Sequence, residues 1–373
     1  MEKPGGAVLH ETQERLSALR RKLDEAQLDA IVVVDRFNRR YLTGFTGSAG
    51  VVLVSRDPAQ QPVLLVDSRY TEQASRQAAG YRVIQHADYV WETLREVMGE
   101  YGLKKVGFES EHMSYRQATR WQEEIPGVTW VPVEQQLEAL RAVKSPSELA
   151  AMRRAIAITD QAFQYILGEL RAGVTERQVA WRLEIFLREH GAERLAFDSI
   201  VASGPNGALP HAFPTDRALQ PGDLVVLDFG CVYDGYHSDM TRTVVVGPEV
   251  PPRAREVYEV VRRAQAAGVQ AVRPGRTGKE VDGDSRAVIE QAGFGEYFGH
   301  GLGHGVGLEV HEPIPRLSRI SDTVLQPGMV TSVEPGIYIP GWGGVRIEDL
   351  VLVTEDGCEV LTASPKELIV VGG

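Results

Sequence analysis

Two glutamates of this sequence are embedded in apolar, strand-like segments, and they constrain the fold more than any other feature. Glu334 lies in MVTSVEPGIYIPG and Glu348 lies in GGVRIEDLVLV. A carboxylate that a strand carries into an apolar interior must be paired, because burying an unpaired charge is very costly. We therefore expect the fold to bring a cation or a set of hydrogen-bond donors to both side chains.

Two aspartates upstream pose the same problem within one hairpin. The segment DLVVLDFGCVYDGYHSDMTRTVVVG, residues 223–247, predicts a strand, a tight turn and a returning strand, which can bring Asp228 and Asp239 face to face. Two like charges about 4 Å apart repel by roughly 4 kcal/mol at an effective dielectric constant near 20, so a proton or a cation must separate them. The alternative is that both are turn or cap residues, which is the commoner role of an isolated aspartate.

The segment HGLGHGVGLEVHE, residues 300–312, spaces three histidines among glycines. The glycines beside His304 disfavour a helix, so strand and loop are predicted here rather than a two-histidine zinc helix. A histidine in such a setting is most often a hydrogen-bonded structural residue. Together with the acids, however, His304 completes a set that fits a two-metal site. Oxygen-rich ligation with a single imidazole favours Mn²⁺, with Co²⁺, Fe²⁺ and Zn²⁺ as alternatives.

The length of 373 residues exceeds what one hydrophobic core usually holds, so two domains are expected. The run KSPS, residues 144–147, can end one helix and cap the next, and we place the boundary there, with domains of residues 1–143 and 144–373. In the first domain an amphipathic helix precedes apolar runs that alternate with helical segments. This alternation predicts an α/β domain with a mixed or parallel sheet.

In the second domain, helices are followed by glycine-rich strands twice over. A helix predicted from Ser147 to Arg171 precedes another in which Thr175 and Gln178 fit a capping box. A second helical pair, PPRAREVYEVVRRAQAAGVQAVRPG and TGKEVDGDSRAVIEQAG, precedes the remaining strands. The order indicates an α+β unit that is duplicated within the domain, although sequence identity between the halves is too weak to prove it.

The bulk composition argues against several classes of partner. A formal net charge of −11 without a long basic run disfavours nucleic-acid binding. Cys231 and Cys358 are too few for a disulfide framework and are expected to be buried thiols. The charged N-terminal segment lacks the apolar core of a signal peptide, and no run approaches roughly 18 apolar residues. A cytoplasmic protein without a membrane partner is therefore predicted.

The acids and the histidine lie in the motifs LDFG, SDMTRT, GHGVGLEVHE, SVEPGIY and GVRIED. In this order they resemble the ligand set of the pita-bread metallopeptidases. The chain is similar to the Xaa-Pro aminopeptidases and Xaa-Pro dipeptidases over nearly its full length, and NRRYLTGFTGSAG and DSRYTEQA resemble segments of their creatinase-like N-terminal domain. The resemblance implies an α/β creatinase-like domain and an α+β pita-bread catalytic domain with an internal pseudo-twofold duplication.

The resemblance also implies how the metals are held. Two divalent ions would be bound by five side chains, namely Asp228, Asp239, His304, Glu334 and Glu348. Asp239 and Glu348 would bridge the ions, and Asp228 would bind one of them alone. The ions would activate a hydroxide as the nucleophile. Glu334 would in addition take the proton of the water and pass it to the leaving proline nitrogen.

The substrate-binding residues follow from the same resemblance. His211 and His311 resemble the catalytic histidines that contact the scissile carbonyl and the oxyanion. His300 resembles a histidine that shapes the proline subsite. Tyr338 and Arg346 would support the substrate site, with Arg346 pairing to the bridging carboxylates.

The sequence leaves the length of the substrate open. We favour an Xaa-Pro aminopeptidase that acts on Xaa-Pro peptides as a homodimer, with an Xaa-Pro dipeptidase, or prolidase, as the alternative. A dipeptidase needs a group that receives the product carboxylate, and Arg316 or the pair Arg39 and Arg40 would be suitable. A creatinase-like hydrolase lacks the metal set, and a non-catalytic binding protein of this fold would have degenerate ligand positions. A methionine aminopeptidase would leave the N-terminal domain unexplained.

Overall fold

The structure is a computed structural model that describes residues 5–372, with the side chains of residues 9–372. Contacts within the chain divide it into two compact units, of which one ends at Arg141 and the other begins at Ala142. The sequence predicts the boundary between residues 143 and 144. None of the helices within residues 5–372 combines the length and the apolar character that are needed to span a membrane.

The first unit contains a mixed six-stranded sheet with the strand order β4-β3-β2-β1-β5-β6. β1 pairs antiparallel with β2 and parallel with β5. Every residue of β1, β2 and β3 is buried, which explains why these strands appear in the sequence as continuous apolar runs. The elements are α1 (Gly5–Glu25), β1 (Ala30–Val33), α2 (Arg36–Thr43), β2 (Val51–Ser55), β3 (Val63–Val66), α3 (Thr71–Gln77), β4 (Arg82–Gln85), α4 (Val90–Glu100), β5 (Lys105–Glu109), α5 (Tyr115–Glu124), β6 (Thr129–Val133) and α6 (Glu138–Ala142).

The predicted α/β domain with a mixed sheet is confirmed, but the sequence predicts neither of the two edge strands. In β4 and β6 no residue is fully buried, so neither strand stands out as an apolar run. β6 contains Pro132, which an edge strand tolerates because one of its sides has no ladder to complete. The eight-residue helix α2 is also missed, although Asp35 caps it by accepting from the backbone N–H groups of Phe37 and Asn38.

The second unit packs two pairs of helices against short sheets. Its main sheets have the strand orders β20-β12-β9-β8 and β14-β13-β15-β18-β19. The helices are α7 (Pro146–Leu167), α8 (Glu176–Glu189), α9 (Pro252–Ala271) and α10 (Gly278–Gln291). The strands are β7 (Arg194–Leu195), β8 (Ile200–Ser203), β9 (Leu224–Phe229), β10 (Cys231–Tyr233), β11 (Tyr236–His237), β12 (Met240–Val246), β13 (Gly303–Gly305), β14 (Glu312–Leu317), β15 (Val330–Val333), β16 (Gly336–Ile339), β17 (Gly343–Arg346), β18 (Asp349–Val353), β19 (Cys358–Val360) and β20 (Val370–Val371).

A repeated tetrapeptide marks the duplication of this unit. LQPG occurs at residues 219–222 and again at residues 325–328, and in each case one residue separates it from the next strand, β9 or β15. The backbone N–H of Leu219 donates to Val174, and that of Leu325 donates to Arg276. The glycine that ends each tetrapeptide has a φ of 87°, a conformation that favours glycine. Matching helices, turns and strand pairs confirm the predicted duplication.

The second helix of each pair starts with the same capping box. Thr175 caps α8 together with Gln178, as the sequence predicts, and Thr277 caps α10 together with Glu280. In both cases the threonine hydroxyl accepts a hydrogen bond from a backbone N–H of the first turn. The side chain of the glutamine or glutamate in turn accepts a hydrogen bond from the backbone N–H of the threonine. Both threonines also form an isolated bridge to the segment around LQPG, with Ala218 in one half and with Val324 in the other.

Replacing Thr277 with alanine should lower the free energy of unfolding of the second unit by about 1 kcal/mol, because the N–H of Glu280 loses its side-chain acceptor. Thr277→Ser keeps the hydroxyl and should retain most of the stability. Urea unfolding of the wild type and the two variants measures the difference. Equal stability of Thr277→Ala and the wild type would show that the cap contributes nothing.

Candidate metal centre

Each of the two duplicated strand pairs carries two of the predicted acidic ligands, at corresponding positions. In the first half, Asp228 lies near the end of β9 and Asp239 directly precedes β12. In the second half, Glu334 directly follows β15 and Glu348 directly precedes β18. Because β9 pairs antiparallel with β12 and β15 pairs antiparallel with β18, the two acids of each half lie at the same end of a strand pair.

The strand β13 brings His304 to the same place, in the strand and loop conformation that the sequence predicts. Ligand atoms of Asp239, His304 and Glu348 lie within 4.8 Å of one another. Nε2 of His304 is 3.3 Å from Glu334 Oε1 and 3.7 Å from Asp239 Oδ2. Its Nδ1 lies 3.0 Å from the carbonyl oxygen of Gly305, which fixes a proton on Nδ1 and aims Nε2 at the acids.

All of the predicted ligands line one cavity of about 470 Å³, which also contains the other three predicted histidines, Arg316 and Arg346. Asp228, Asp239 and Glu348 are buried. In the part of the chain that the structure describes, Asp228 Oδ1 and Glu348 Oε1 have no hydrogen-bond donor. Oxygen atoms that are buried in this way need a proton or a cation, because the cost of desolvating them is otherwise not offset.

The pKa values of these acids show the same deficit of positive charge. Burial and the neighbouring carboxylates raise the pKa of Asp239 and of Glu348 well above their usual range. Burial also raises the pKa of Asp228, even though Arg346 lies beside it and opposes the shift. A donor set of carboxylate oxygens and one imidazole fits divalent first-row cations, which would take the place of the protons.

Arg346 connects the acids with the substrate side of the cavity. Its guanidinium pairs directly with Asp228 and donates through Nε to Thr241 Oγ1 at 3.0 Å. The Thr241 hydroxyl in turn donates to Glu348 Oε2 at 2.7 Å. The sequence predicts a pairing of Arg346 with the bridging carboxylates, whereas this guanidinium reaches Glu348 only through Thr241. Through Nη1, Arg346 also donates to the Tyr338 hydroxyl at 2.8 Å.

His300 is held on both of its ring nitrogens. Nδ1 lies 2.7 Å from the carbonyl oxygen of Gly301, and Nε2 lies 2.9 Å from the Tyr338 hydroxyl. Burial lowers the pKa of His300, so the ring is neutral and its Nε2 accepts a hydrogen bond from the Tyr338 hydroxyl. His300 lines the cavity while both of its ring nitrogens have protein partners, as expected of a residue that shapes a subsite.

His211 and His311 are solvent-exposed residues at the border of the cavity. The carbonyl of Pro210, next to His211, accepts a hydrogen bond from Arg346 at 3.3 Å. The His311 ring packs edge-on against His304, with 4.3 Å between the ring centroids. Partial burial and the proximity of His304 lower the pKa of His311 to about 4, so this imidazole is neutral at physiological pH.

Two hydroxyl groups that hold the acids were not predicted from the sequence. Besides Thr241, Ser332 donates to Glu334 Oε1 at 3.0 Å, and its Oγ accepts the backbone N–H of His304. A pattern could have indicated both residues. Thr241 and Ser332 each lie two positions from a candidate ligand in a buried strand, where residues i and i+2 share one face.

Comparison with known proteins assigns the chain to a family. Residues 150–355 match the model of Metallopeptidase family M24, and residues 15–143 match that of the Creatinase/Prolidase N-terminal domain. The chain therefore belongs to Metallopeptidase family M24, whose members use divalent metals. The expected fold, a creatinase-like domain followed by a pita-bread domain, is confirmed.

Relatives that span the whole chain carry related names. The Xaa-Pro dipeptidase of Pyrococcus furiosus is 38% identical, with 96% of this chain and 100% of the relative covered. A solved Xaa-Pro dipeptidase from Bacillus anthracis has a TM-score of 0.93 at 46% identity and covers 96% of this chain and 100% of that chain. A solved X-Pro aminopeptidase from Thermotoga maritima has a TM-score of 0.86 at 36% identity and covers 94% and 100%.

Repulsion among the acids predicts an unusual effect of Glu348→Gln. In metal-free protein the substitution should raise the free energy of unfolding, because it removes one of the charges that repel one another. The raised pKa values mean that the folded state holds more protons than the unfolded state above the usual carboxylate range. The free energy of unfolding of the metal-free wild type should therefore fall as the pH rises from the usual carboxylate range to the raised pKa values. Glu348→Gln should make this fall with pH less steep.

Asp349→Asn is the matched control. Asp349 is the next residue and is fully buried, but it pairs with Arg242 at 2.7 Å and with Lys366 at 2.5 Å. Its substitution should destabilise the protein with or without metal, since it leaves the buried Arg242 less well paired. Thermal unfolding of both variants after exhaustive chelation makes the comparison. A loss of stability in metal-free Glu348→Gln would contradict the inference that the buried acids lack sufficient positive charge around them.

Proposed function

We propose that this chain is an Xaa-Pro dipeptidase that hydrolyses the bond between an N-terminal residue and a following proline. The sequence by itself favours an aminopeptidase, but the names of the relatives support the dipeptidase better. The observation that carries the proposal is the position of Arg316. This residue lines the cavity of the metal-ligand candidates, and its Cα pairs with His304 across β13 and β14.

Arg316 is the candidate arginine whose position suits the product carboxylate. The guanidinium of Arg39, by contrast, is buried in the first unit and donates to the carbonyl oxygens of Gly47 and Gly50. An arginine that faces a cavity can bind a carboxylate through two parallel hydrogen bonds. Only a dipeptide substrate has its C-terminal carboxylate on the proline itself, so such an arginine selects for dipeptides.

We propose that the same cavity holds a pair of divalent cations, with Asp228, Asp239, His304, Glu334 and Glu348 as the ligands. The oxygen-rich donor set favours Mn²⁺, with Co²⁺, Fe²⁺ and Zn²⁺ as alternatives. When bound, the ions would supply the positive charge that activates water and polarises the scissile carbonyl. Assembly as a homodimer and a cytoplasmic location remain predictions of the sequence.

Glu334 is the residue that we assign to proton transfer. Burial by itself would raise its pKa, but the hydrogen bond and the charge of His304 lower the pKa to about 2. Glu334 is therefore ionised at neutral pH in the metal-free protein, and we assign to this carboxylate the role of accepting a proton from the attacking water. Its Oε1 is held by the Ser332 hydroxyl, so the carboxylate is oriented before it delivers the proton to the leaving proline nitrogen.

The histidines on the rim act on the carbonyl of the scissile bond. His311 is neutral at physiological pH and keeps one ring N–H, which we assign to the oxyanion that develops in the transition state. His211 borders the same cavity and is assigned to the carbonyl oxygen of the bound substrate. His300, fixed by Tyr338, forms the wall of the proline subsite.

A panel of substrates tests the assignment. The protein should hydrolyse Xaa-Pro dipeptides with a higher kcat/KM than the same dipeptides with a C-terminal amide or Xaa-Pro tripeptides. Arg316→Gln should lower kcat/KM for the free dipeptides by about tenfold or more, because a difference of about 1.4 kcal/mol in binding corresponds to a factor of ten. The amides serve as the matched control, since they lack the carboxylate and should lose little activity in this variant.

The opposite pattern would favour the aminopeptidase. If the wild type hydrolyses tripeptides and amides as well as free dipeptides, Arg316 does not select for the carboxylate. The absence of hydrolysis of every Xaa-Pro peptide, in protein that has been loaded with metal, would overturn both assignments.

A further inference from the structure

The loop of residues 306–311 joins β13, which carries His304, to β14, and it ends at His311. Gly307 lies in this loop at a point where opposite charges converge. A Cβ atom added to Gly307 would lie 2.7 Å from Glu312 Oε1 and 3.2 Å from Lys144 Nζ. Both of these charged residues are buried, at 3% and 5% exposure. Neither belongs to the set of metal ligands or substrate-binding residues assigned above.

Several hydrogen bonds fasten the loop at the same point. The N–H of Gly307 donates to the carbonyl oxygen of Glu309 at 2.9 Å, and the N–H of Glu309 lies 3.3 Å from Glu312 Oε1. The carbonyl oxygen of Gly307 accepts the backbone N–H of His237 at 2.8 Å. His237 lies two residues before Asp239, so the loop is tied to the strand that leads to a candidate metal ligand.

Lys144 approaches the loop from a segment that is itself anchored. Its backbone N–H donates to the carbonyl oxygen of Gly328 at 2.9 Å, next to the bridge between Val143 and Met329. A buried ammonium and a buried carboxylate offset one another's desolvation only when they lie close together. Because Lys144 and Glu312 both close on Gly307, they restrict the arrangement of this glycine, and Glu312 directly follows His311 in the chain.

We propose that Lys144 and Glu312 are positioning residues, which hold the loop of residues 306–311 so that the His311 imidazole meets the reacting carbonyl. The proposal rests on the function proposed for His311. A displacement of about 1 Å in a group that acts in the transition state can lower the rate by roughly 100-fold. Lys144 and Glu312 act through His311 and touch neither substrate nor metal in this account.

A double-mutant cycle tests whether Lys144 acts through His311. Lys144→Met should lower kcat for an Xaa-Pro dipeptide by roughly 10- to 100-fold while KM changes little. In a His311→Asn background the same substitution should cause no further loss, because the group that Lys144 positions is already gone. A merely structural role would lower kcat by the same factor in both backgrounds and would reduce the metal content and the unfolding midpoint as well.

Gly307→Ala gives a second test if Lys144→Met fails to fold. The added methyl group would press on Glu312 and Lys144, so kcat should fall in the wild-type background and remain unchanged in the His311→Asn background. Gly357→Ala is the matched control, because a Cβ atom there would meet nothing within 4 Å and its φ is not in the left-handed region. This control should keep the wild-type kcat.

The outcomes separate the two proposals. Turnover of Xaa-Pro dipeptides by the wild type, combined with equal losses in both backgrounds, would overturn the positioning role and leave the proposed function intact. A normal kcat in both Lys144→Met and Gly307→Ala would likewise overturn the positioning role. The absence of turnover by the metal-loaded wild type would overturn the proposed function and, with it, the inference.

Discussion

Electrostatic repulsion among buried carboxylates is the constraint on which the second unit depends. Asp228, Asp239 and Glu348 are each buried, and each has a raised pKa. Arg346 pairs with Asp228 but leaves one oxygen of that residue without a donor. A fold that gathers these groups in the absence of cations is working against its own stability. The rigid strand pairs and capped helices around the site offset that penalty before a metal contributes anything.

Internal duplication explains how a single chain brings so many acids together. Each half repeats a capped helix, the LQPG turn and an antiparallel strand pair, and each half places one acid at the end of the outgoing strand and one at the start of the returning strand. The halves differ where function requires it. The second half adds His304 on β13 and Arg346 on β17, and these side chains make the site asymmetric.

The sequence predicts those features of the structure whose signal lies within one short segment of the chain. Acids within apolar strands, capping boxes and fully buried strands are local signals, and the fold confirms the architecture inferred from them. The edge strands β4 and β6 are missed because their exposure leaves no apolar run. The route from Arg346 through Thr241 to Glu348 is missed because it depends on the register between strands that lie far apart in sequence. Substrate length, as we propose, depends on a single arginine contact, which no motif encodes.

The presence of cations among these carboxylates is the physical claim from which the other functional assignments follow. Anomalous diffraction at the manganese absorption edge, from crystals grown with Mn²⁺, measures it without reference to activity. We expect two peaks roughly 3.5 to 4 Å apart, surrounded by Asp228, Asp239, His304, Glu334 and Glu348. A map without anomalous density among these side chains, at saturating Mn²⁺, would contradict the account.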